Sequence, residues 1–119
     1  MNPKRIMLVD DQQIANFILR KLLSKHAAQA DVHDFTAPEK AIEDVARLNP
    51  DVIFLDLNMP VLDGWAFLDQ MQERQLGHAV VVVTSSTSEV DRSRALTYPN
   101  VRHYCSKPVP AEALQQALG

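Results

Sequence analysis

The sequence predicts an α/β fold built on a doubly wound parallel sheet, and three observations predict it. Ile6-Met7-Leu8-Val9, Val52-Ile53-Phe54-Leu55 and Ala79-Val80-Val81-Val82-Val83 are continuous apolar runs rather than alternating ones, the pattern of strands buried on both faces. Helical patterns fill the gaps between these runs. The strand-then-helix order recurs five times along the chain, the arrangement of a parallel sheet covered by helices on both sides.

Taken in order, the first strand is Ile6–Val9. The helix Ile14–His26 follows, with Ile18, Leu19, Leu22 and Leu23 on one side. A weaker strand fits Asp31–Phe35. Pro38–Leu48 is helical and places Ala41, Val45 and Leu48 on one face; Thr36-Ala37-Pro38-Glu39 before it reads as a capping box with proline in the first turn. Asn49-Pro50 punctuates the entry to the third strand, Val52–Leu55. The helix Trp65–Glu73 aligns Trp65, Leu68 and Met71, and the fourth strand is Ala79–Val83. Ser88–Leu96 is a poorer amphipath, with only Val90, Ala95 and Leu96 to bury. Pro99-Asn100 precedes the last strand, Val101–Ser106, and a short helix over Pro110–Leu118 runs out at Gly119. No linker, low-complexity tract or repeat beyond the unit itself is visible, so residues 1–119 are expected to form one domain.

The bulk properties exclude several classes. Hydrophobic residues make up 46% of the 119, so a core forms without disulfides. The single cysteine, Cys105, rules out an internal disulfide framework and suits a reducing compartment. The apolar run near the N-terminus is too short for a signal peptide and meets two acids at once. No segment approaches membrane-spanning length; a soluble, cytoplasmic protein is expected. Net charge is -3 and the basic residues are scattered without interleaved aromatics, so no nucleic-acid partner is expected. His26, His33, His78 and His103 lie far apart without ligand spacing, and none is expected to bind metal.

Each strong strand ends in a reactive polar group: the first at Asp10-Asp11, the third at Asp56, the fourth at Thr84-Ser85, while Lys107-Pro108 follows the fifth. In open α/β sheets ligands bind outside the carboxyl ends of the strands, where the strand order reverses. A five-stranded sheet of the flavodoxin-like order 2-1-3-4-5, a three-layer sandwich, puts the first and third strands at that point, so Asp10, Asp11 and Asp56 should share one pocket. Three carboxylates there repel one another. Protonation or a hard divalent cation, Mg²⁺ above all, relieves that repulsion. Carboxylates, such an ion, a lysine and the Thr84 hydroxyl together make a phosphoryl-transfer site with an aspartate as nucleophile. Taken singly each residue has a plainer reading. Asp10-Asp11 could cap the first helix, Asp56 could be a loop residue, Thr84 a capping hydroxyl and Lys107 a solvated cation. The functional case rests on all of them falling at strand ends together.

Val9-Asp10-Asp11, Leu55-Asp56-Leu57-Asn58-Met59-Pro60 with Asp63-Gly64, Val83-Thr84-Ser85 and Lys107-Pro108 occur in an order and at separations that closely resemble the receiver domains of two-component response regulators, over essentially the whole chain. The resemblance implies that Asp56 is the phosphoacceptor. Asp11, Asp56 and the backbone carbonyl of Asn58 would ligate Mg²⁺ or Mn²⁺ directly, with Asp10 acting through a coordinated water. Thr84 would be the switch hydroxyl, Lys107 the phosphoryl-binding cation and Tyr104 the aromatic that swings inward as Thr84 moves. The Lys107–Pro108 bond would be cis. Pro60 and Gly64 would shape the loop after Asp56, with glycine supplying backbone angles that other residues resist. Asn58 and Ser86 would flank the attacking water and tune the phosphoryl lifetime. The chain departs from the family pattern at Leu96-Thr97-Tyr98-Pro99-Asn100, where many receivers carry a small Gly-Ala pair.

Implied partners are a sensor histidine kinase or a histidine phosphotransfer protein, docking on Ile14, Ala15, Ile18 and Pro108, and an unidentified downstream protein target. A phosphorylation-dependent dimer is a further expectation. Because Met1 stands almost directly before the first strand, a stand-alone regulator without an output domain is favoured over a piece of a longer protein. The chain is expected to be no enzyme beyond its own phosphorylation and dephosphorylation. Two rival readings remain. An aspartate-nucleophile phosphatase of the haloacid-dehalogenase type would want an acid where Asn58 stands. A phosphorylation-independent receiver-like binding module would have no need of the full set of acids, hydroxyl and lysine.

Overall fold

The structure, a computed structural model, describes residues 4–118. Five strands alternate with five helices among them: β1 (Arg5–Val9), α1 (Gln13–His26), β2 (Asp31–Phe35), α2 (Pro38–Leu48), β3 (Val52–Leu55), α3 (Gly64–Glu73), β4 (Val80–Thr84), α4 (Glu89–Ala95), β5 (Val101–Ser106) and α5 (Ala111–Leu118). All neighbouring strands are parallel and the sheet order is β2-β1-β3-β4-β5, the order expected. The anticipated helix end at Gly119 lies outside the described residues.

The continuous apolar runs are explained by where alternate side chains go. Met7, Val9, Ile53, Leu55, Val80 and Val82 face one way and pack with Ala41, Val45, Phe67, Leu68 and Met71 of α2 and α3. Ile6, Leu8, Val52, Phe54, Val81 and Val83 face the other way and pack with Leu23 of α1 and Leu114 of α5. Both faces of the three central strands are thus dry, and no polar position is tolerated until the strand ends.

Several local expectations are corrected. The capping box at Thr36–Glu39 does not form: α2 starts at Pro38 and its N-cap is Ala37, without a side-chain hydrogen bond. A residue before proline is driven to extended geometry, and Ala37 has φ -110 and ψ 101, which moves the helix start past the register the box needs. On α1, Ile18 is half exposed while Asn16 is buried in its place. On α4, Val90 is 76% exposed and Leu96 is also exposed, which leaves Ala95 as the buried anchor. Asn49 closes α2 in the left-handed region, with its N–H donating to the Val45 carbonyl at 2.8 Å.

The β3–α3 loop contains a strained residue. Val61 has φ 69, and the Leu62 N–H donates to the Pro60 carbonyl at 2.8 Å, closing a three-residue γ-turn. Its side chain is 94% exposed, so packing does not compensate the clash of a β-branched Cβ with the backbone. Glycine takes positive φ without that clash. Val61→Gly is therefore expected to raise the stability of the chain by up to about 1 kcal/mol, seen as a higher urea midpoint at unchanged slope; an unchanged or lower midpoint would show that the turn carries no such strain.

Candidate functional site

Strand register assembles the site. Val9 pairs with Leu55, so the next residues, Asp10 and Asp56, stand abreast at the carboxyl edge of the sheet. The chain holds this edge with main-chain bonds: Asp56 N–H to the Val9 carbonyl at 3.0 Å, Asp10 N–H to the Phe35 carbonyl at 3.1 Å, and Lys107 N–H to the Thr84 carbonyl at 2.8 Å. Carboxylate oxygens of Asp10, Asp11 and Asp56 all lie within 4.8 Å of one another. Asp10 and Asp56 are buried and Asp11 is half-buried, with Asp11 Oδ1 enclosed and lacking a hydrogen-bond partner.

Lys107 closes the far side. Its Nζ donates to Asp10 Oδ2 at 2.7 Å and stands 3.5 Å from Asp56 Oδ2, and the Lys107–Pro108 peptide is cis. Burial disfavours the ammonium, but the hydrogen bond to Asp10 and the charge of Asp56 outweigh it and raise the lysine pKa. The same crowding acts on Asp56, whose carboxyl is pushed up to about 6, first by burial and then by the Asp10 charge, against the opposing pull of Lys107 and the Asn58 N–H. Three carboxylates against one ammonium leave an excess of negative charge. A buried orphan oxygen on Asp11 in an all-oxygen cluster is the donor set that a hard divalent cation takes. The residues present fit such an ion, with Asp10, Asp11 and Asp56 as the groups that would hold it.

The remaining predicted residues are placed as follows. Asn58 N–H donates to Asp56 Oδ1 at 3.2 Å, and its side-chain amide reaches Thr84 Oγ1 at 3.4 Å. Thr84 is fully buried and its hydroxyl oxygen also accepts the Ser86 N–H at 3.1 Å. The Ser86 hydroxyl is turned away from the carboxylates: it donates to Asp91 of α4 at 2.9 Å and accepts from the Ser88 N–H. Tyr104 packs against the core and its hydroxyl is enclosed without a partner. Of the plainer readings, capping survives only in part. Asp10 Oδ1 accepts the Gln12 N–H at 2.9 Å, α1 itself has no side-chain cap, and the caps of α3 and α4 are Asp63 and Ser88.

Gly64 is needed for a reason other than the one expected. No glycine among the described residues has positive φ. Instead, a Cβ at Gly64 would sit 2.6 Å from the Asp56 carbonyl oxygen, so the bare α-carbon lets α3 start directly under Asp56.

Beside the acids, a cleft of about 240 Å³ runs between α1 and the segment after β5, lined by Ala15, Ile18, Leu22, Pro108 and Val109 with Asp56 and Lys107 at its inner end. Of the residues predicted for docking, Ala15, Ile18 and Pro108 line this cleft, whereas Ile14, exposed on the same helix, lines a separate groove with Phe17, Arg20 and Asp34. Phe17, exposed beside Ile14 in that second groove, was not predicted; its spacing of three from Ile14 was the available signal. Asn16 and Asp91 were also not foreseen as parts of the site.

The family model for the response regulator receiver domain matches residues 6–119. The chain is 34% identical to the nitrate/nitrite response regulator protein NarL of Escherichia coli over 98% of its own length and 53% of that protein's. It is 39% identical to a protein-glutamate methylesterase/protein-glutamine glutaminase of Xanthomonas oryzae over 73% of its length, which is 24% of that protein. The chain thus spans about a quarter to a half of these curated relatives. Among solved structures, a two component response regulator from Cytophaga hutchinsonii superposes with TM-score 0.86 at 26% identity, covering 99% of this chain and 96% of that one. The chemotaxis protein CheY4 of Vibrio cholerae shares the fold with TM-score 0.82 at 22% identity, covering 98% and 96%.

The raised pKa of Asp56 makes stability depend on pH. A carboxyl whose pKa is near 3.9 unfolded and about 6 folded holds its proton more tightly in the folded state. That contribution is fully present below about pH 4 and is lost as pH rises through about 6, amounting to roughly 2–3 kcal/mol. In metal-free buffer Asp56→Asn is therefore expected to gain stability over the native chain progressively between about pH 4 and pH 7, measured by urea unfolding at each pH. A constant difference across that range would count against a shifted Asp56.

Proposed function

The chain belongs to the response regulator receiver family, and from that membership we propose that Asp56 accepts a phosphoryl group from a histidine kinase or phosphotransfer protein and thereby switches protein binding. Receiver domains of this family bind Mg²⁺ at an acidic pocket and carry a phosphoryl-acceptor aspartate. The observation that supports the reading here is the convergence of Asp10, Asp11 and Asp56 within 4.8 Å, with the Lys107 ammonium 3.5 Å from Asp56.

An Asp56 carboxylate oxygen attacks the phosphorus of the donor phosphohistidine; the P–N bond breaks, and the imidazole leaves with the bonding pair and takes up a proton. The product is an aspartyl phosphate. Asp11, Asp56 and the Asn58 carbonyl would hold Mg²⁺ directly in this reading, and Asp10 would act through water. The ion, when bound, offsets carboxylate repulsion and phosphoryl charge. Lys107 exchanges part of its contact with Asp56 for phosphoryl oxygen. Asn58 and Ser86 set how long the acyl phosphate survives attack by water. Ser86 does so from a backbone position, since its hydroxyl is engaged by Asp91. An external substrate has no place in this scheme, and a haloacid-dehalogenase-type phosphatase would need an acid at Asn58.

Docking is assigned to Ile14, Ala15, Ile18 and Pro108, joined by Phe17. Ala15, Ile18 and Pro108 line the cleft that reaches Asp56, and Ile14 and Phe17 are exposed on the same helix, an apolar surface suited to a partner helix presenting a phosphohistidine. Residues 1–119 act as one receiver domain whose output is contact with a downstream protein or a second copy of the chain. With a small phosphodonor and Mg²⁺, one acid-stable, base-labile phosphoryl group is expected on Asp56 and none on Asp56→Asn. Ile14→Asp is expected to slow transfer from a phosphohistidine protein about tenfold or more, in line with loss of an apolar anchor, yet to leave the small donor unaffected. Label on a histidine or serine of the native chain, by mass spectrometry, would refute the assignment.

Output runs through Thr84. Moving its hydroxyl to a phosphoryl oxygen takes it from Ser86 N–H, and the vacated space alters the seat of Tyr104. A phosphoryl group shifts a population only through contacts that differ between states. Thr84→Ala is expected to accept phosphate at Asp56 but to show much smaller amide shifts around Tyr104 and weaker partner binding. Native-sized shifts at Tyr104 in that variant would remove Thr84 from the route.

A further inference from the structure

Asn16 is a polar residue on the face that α1 turns to the core. It is 2% exposed, and its helical neighbours on that side, Leu19 and Leu23, pack in the apolar cluster below the sheet. A short amide there would be costly unless its donors were used. Both are: Asn16 Nδ2 donates to the Asp10 carbonyl at 3.1 Å and to the Phe35 carbonyl at 3.1 Å. The Phe35 carbonyl also accepts the Asp10 N–H. One side chain therefore ties the ends of β1 and β2 together at the point where the sheet ladder stops.

The carbonyl that Asn16 holds belongs to the peptide joining Asp10 to Asp11. Fixing that peptide plane fixes the direction in which the Asp11 side chain leaves the backbone. The Asp10 carboxylate has anchors of its own in the Gln12 N–H and Lys107 Nζ. Asp11 has no such aid: its enclosed Oδ1 has no partner, so its aim toward Asp56 comes from the backbone that Asn16 orients. Asn16 also lines the cleft that contains Asp10, Asp56 and Lys107.

We infer that Asn16 is a positioning residue for divalent-cation binding: its side-chain amide orients the Asp10–Asp11 peptide so that three carboxylates converge, and so sets the affinity for Mg²⁺. This role presupposes the Mg²⁺ reading of Asp10, Asp11 and Asp56. Groups that orient metal ligands without touching the metal are worth roughly 10–100-fold in affinity. A merely structural role, anchoring α1 to the sheet, would be shared with Leu22, which is half-buried on the same helix and bonds nothing near the acids.

The test compares the full native chain with Asn16→Leu, of similar volume and no donors, and with Leu22→Ala. Folding is followed by thermal melting without metal, and Mg²⁺ binding by amide shifts at Asp11 and by Trp65 fluorescence. Both variants are expected to melt lower. Only Asn16→Leu is expected to bind Mg²⁺ at least about tenfold more weakly, and its small-donor phosphorylation is expected to recover toward the native rate at saturating Mg²⁺. If Asn16→Leu does not fold, Asn16→Thr, which keeps one donor, carries the comparison and is expected to lose affinity that Leu22→Ala keeps. Equal Mg²⁺ affinity in the Asn16 and Leu22 variants overturns the inference and leaves the Mg²⁺ reading standing. A native chain that does not respond to Mg²⁺ overturns both.

Discussion

Mutual repulsion among Asp10, Asp11 and Asp56 is the constraint around which the molecule is organised. Parallel pairing of β1 with β3, in the register that sets Val9 against Leu55, places two of these acids abreast whether or not their charges favour it. The raised pKa of Asp56, caused first by burial and then by the Asp10 charge, expresses part of that cost. The fold meets the cost with distant residues. Lys107, at the end of another strand, reaches across to Asp10 and Asp56, and both faces of the central strands are filled with aliphatic side chains that keep the backbone from relaxing. A site that is unfavourable on its own is thus held by a core that is not, which is how strain at functional positions is generally sustained.

The fold was legible because two-sided burial leaves a simple signature. Val80 to Val83 and Ile6 to Val9 cannot alternate when both faces are dry, and Asn49-Pro50 marks where the chain must leave a helix before entering the next such run. The acids, Thr84 and Lys107 were legible for a related reason. Asp10, Asp56 and Thr84 each come directly after an apolar run and Lys107 directly after the fifth strand, and in a parallel sheet those positions share one edge. Long-range proximity followed from topology alone, without knowledge of any side-chain contact.

What escaped prediction was set by geometry finer than periodicity. Asn16 gave no sign of burial in the sequence; α1 takes a rotation that buries it and exposes Ile18, and its amide then bonds the Asp10 and Phe35 carbonyls at the ends of β1 and β2. Gly64 was expected to supply an unusual backbone angle but supplies empty space 2.6 Å from a carbonyl oxygen. Val61, which takes a positive φ in the same loop, carries no sequence signal at all, since nothing about valine announces it. The capping pattern before α2 was overruled by Pro38, whose demand on Ala37 is local and strong.

The weak packing of α4 acquires meaning beside the polar contacts that replace it. With Ala95 its only fully buried residue, the helix is located by the Arg94 guanidinium 4.1 Å above Trp65 and by Ser86 bonding Asp91. Just beyond its end, Tyr98 bonds Asp69 at 2.7 Å. Polar contacts of these kinds contribute about 0.5–1 kcal/mol each, less than an equal number of buried leucines would. The tether at the start of α4 leads, through Ser86, to the hydroxyl of Thr84. The helix is therefore soft in energy yet connected to the acidic pocket by a specific chain of hydrogen bonds. A better-packed α4 would be harder to displace, and one without the Ser86–Asp91 link would lose its hydrogen-bonded connection to the acidic pocket.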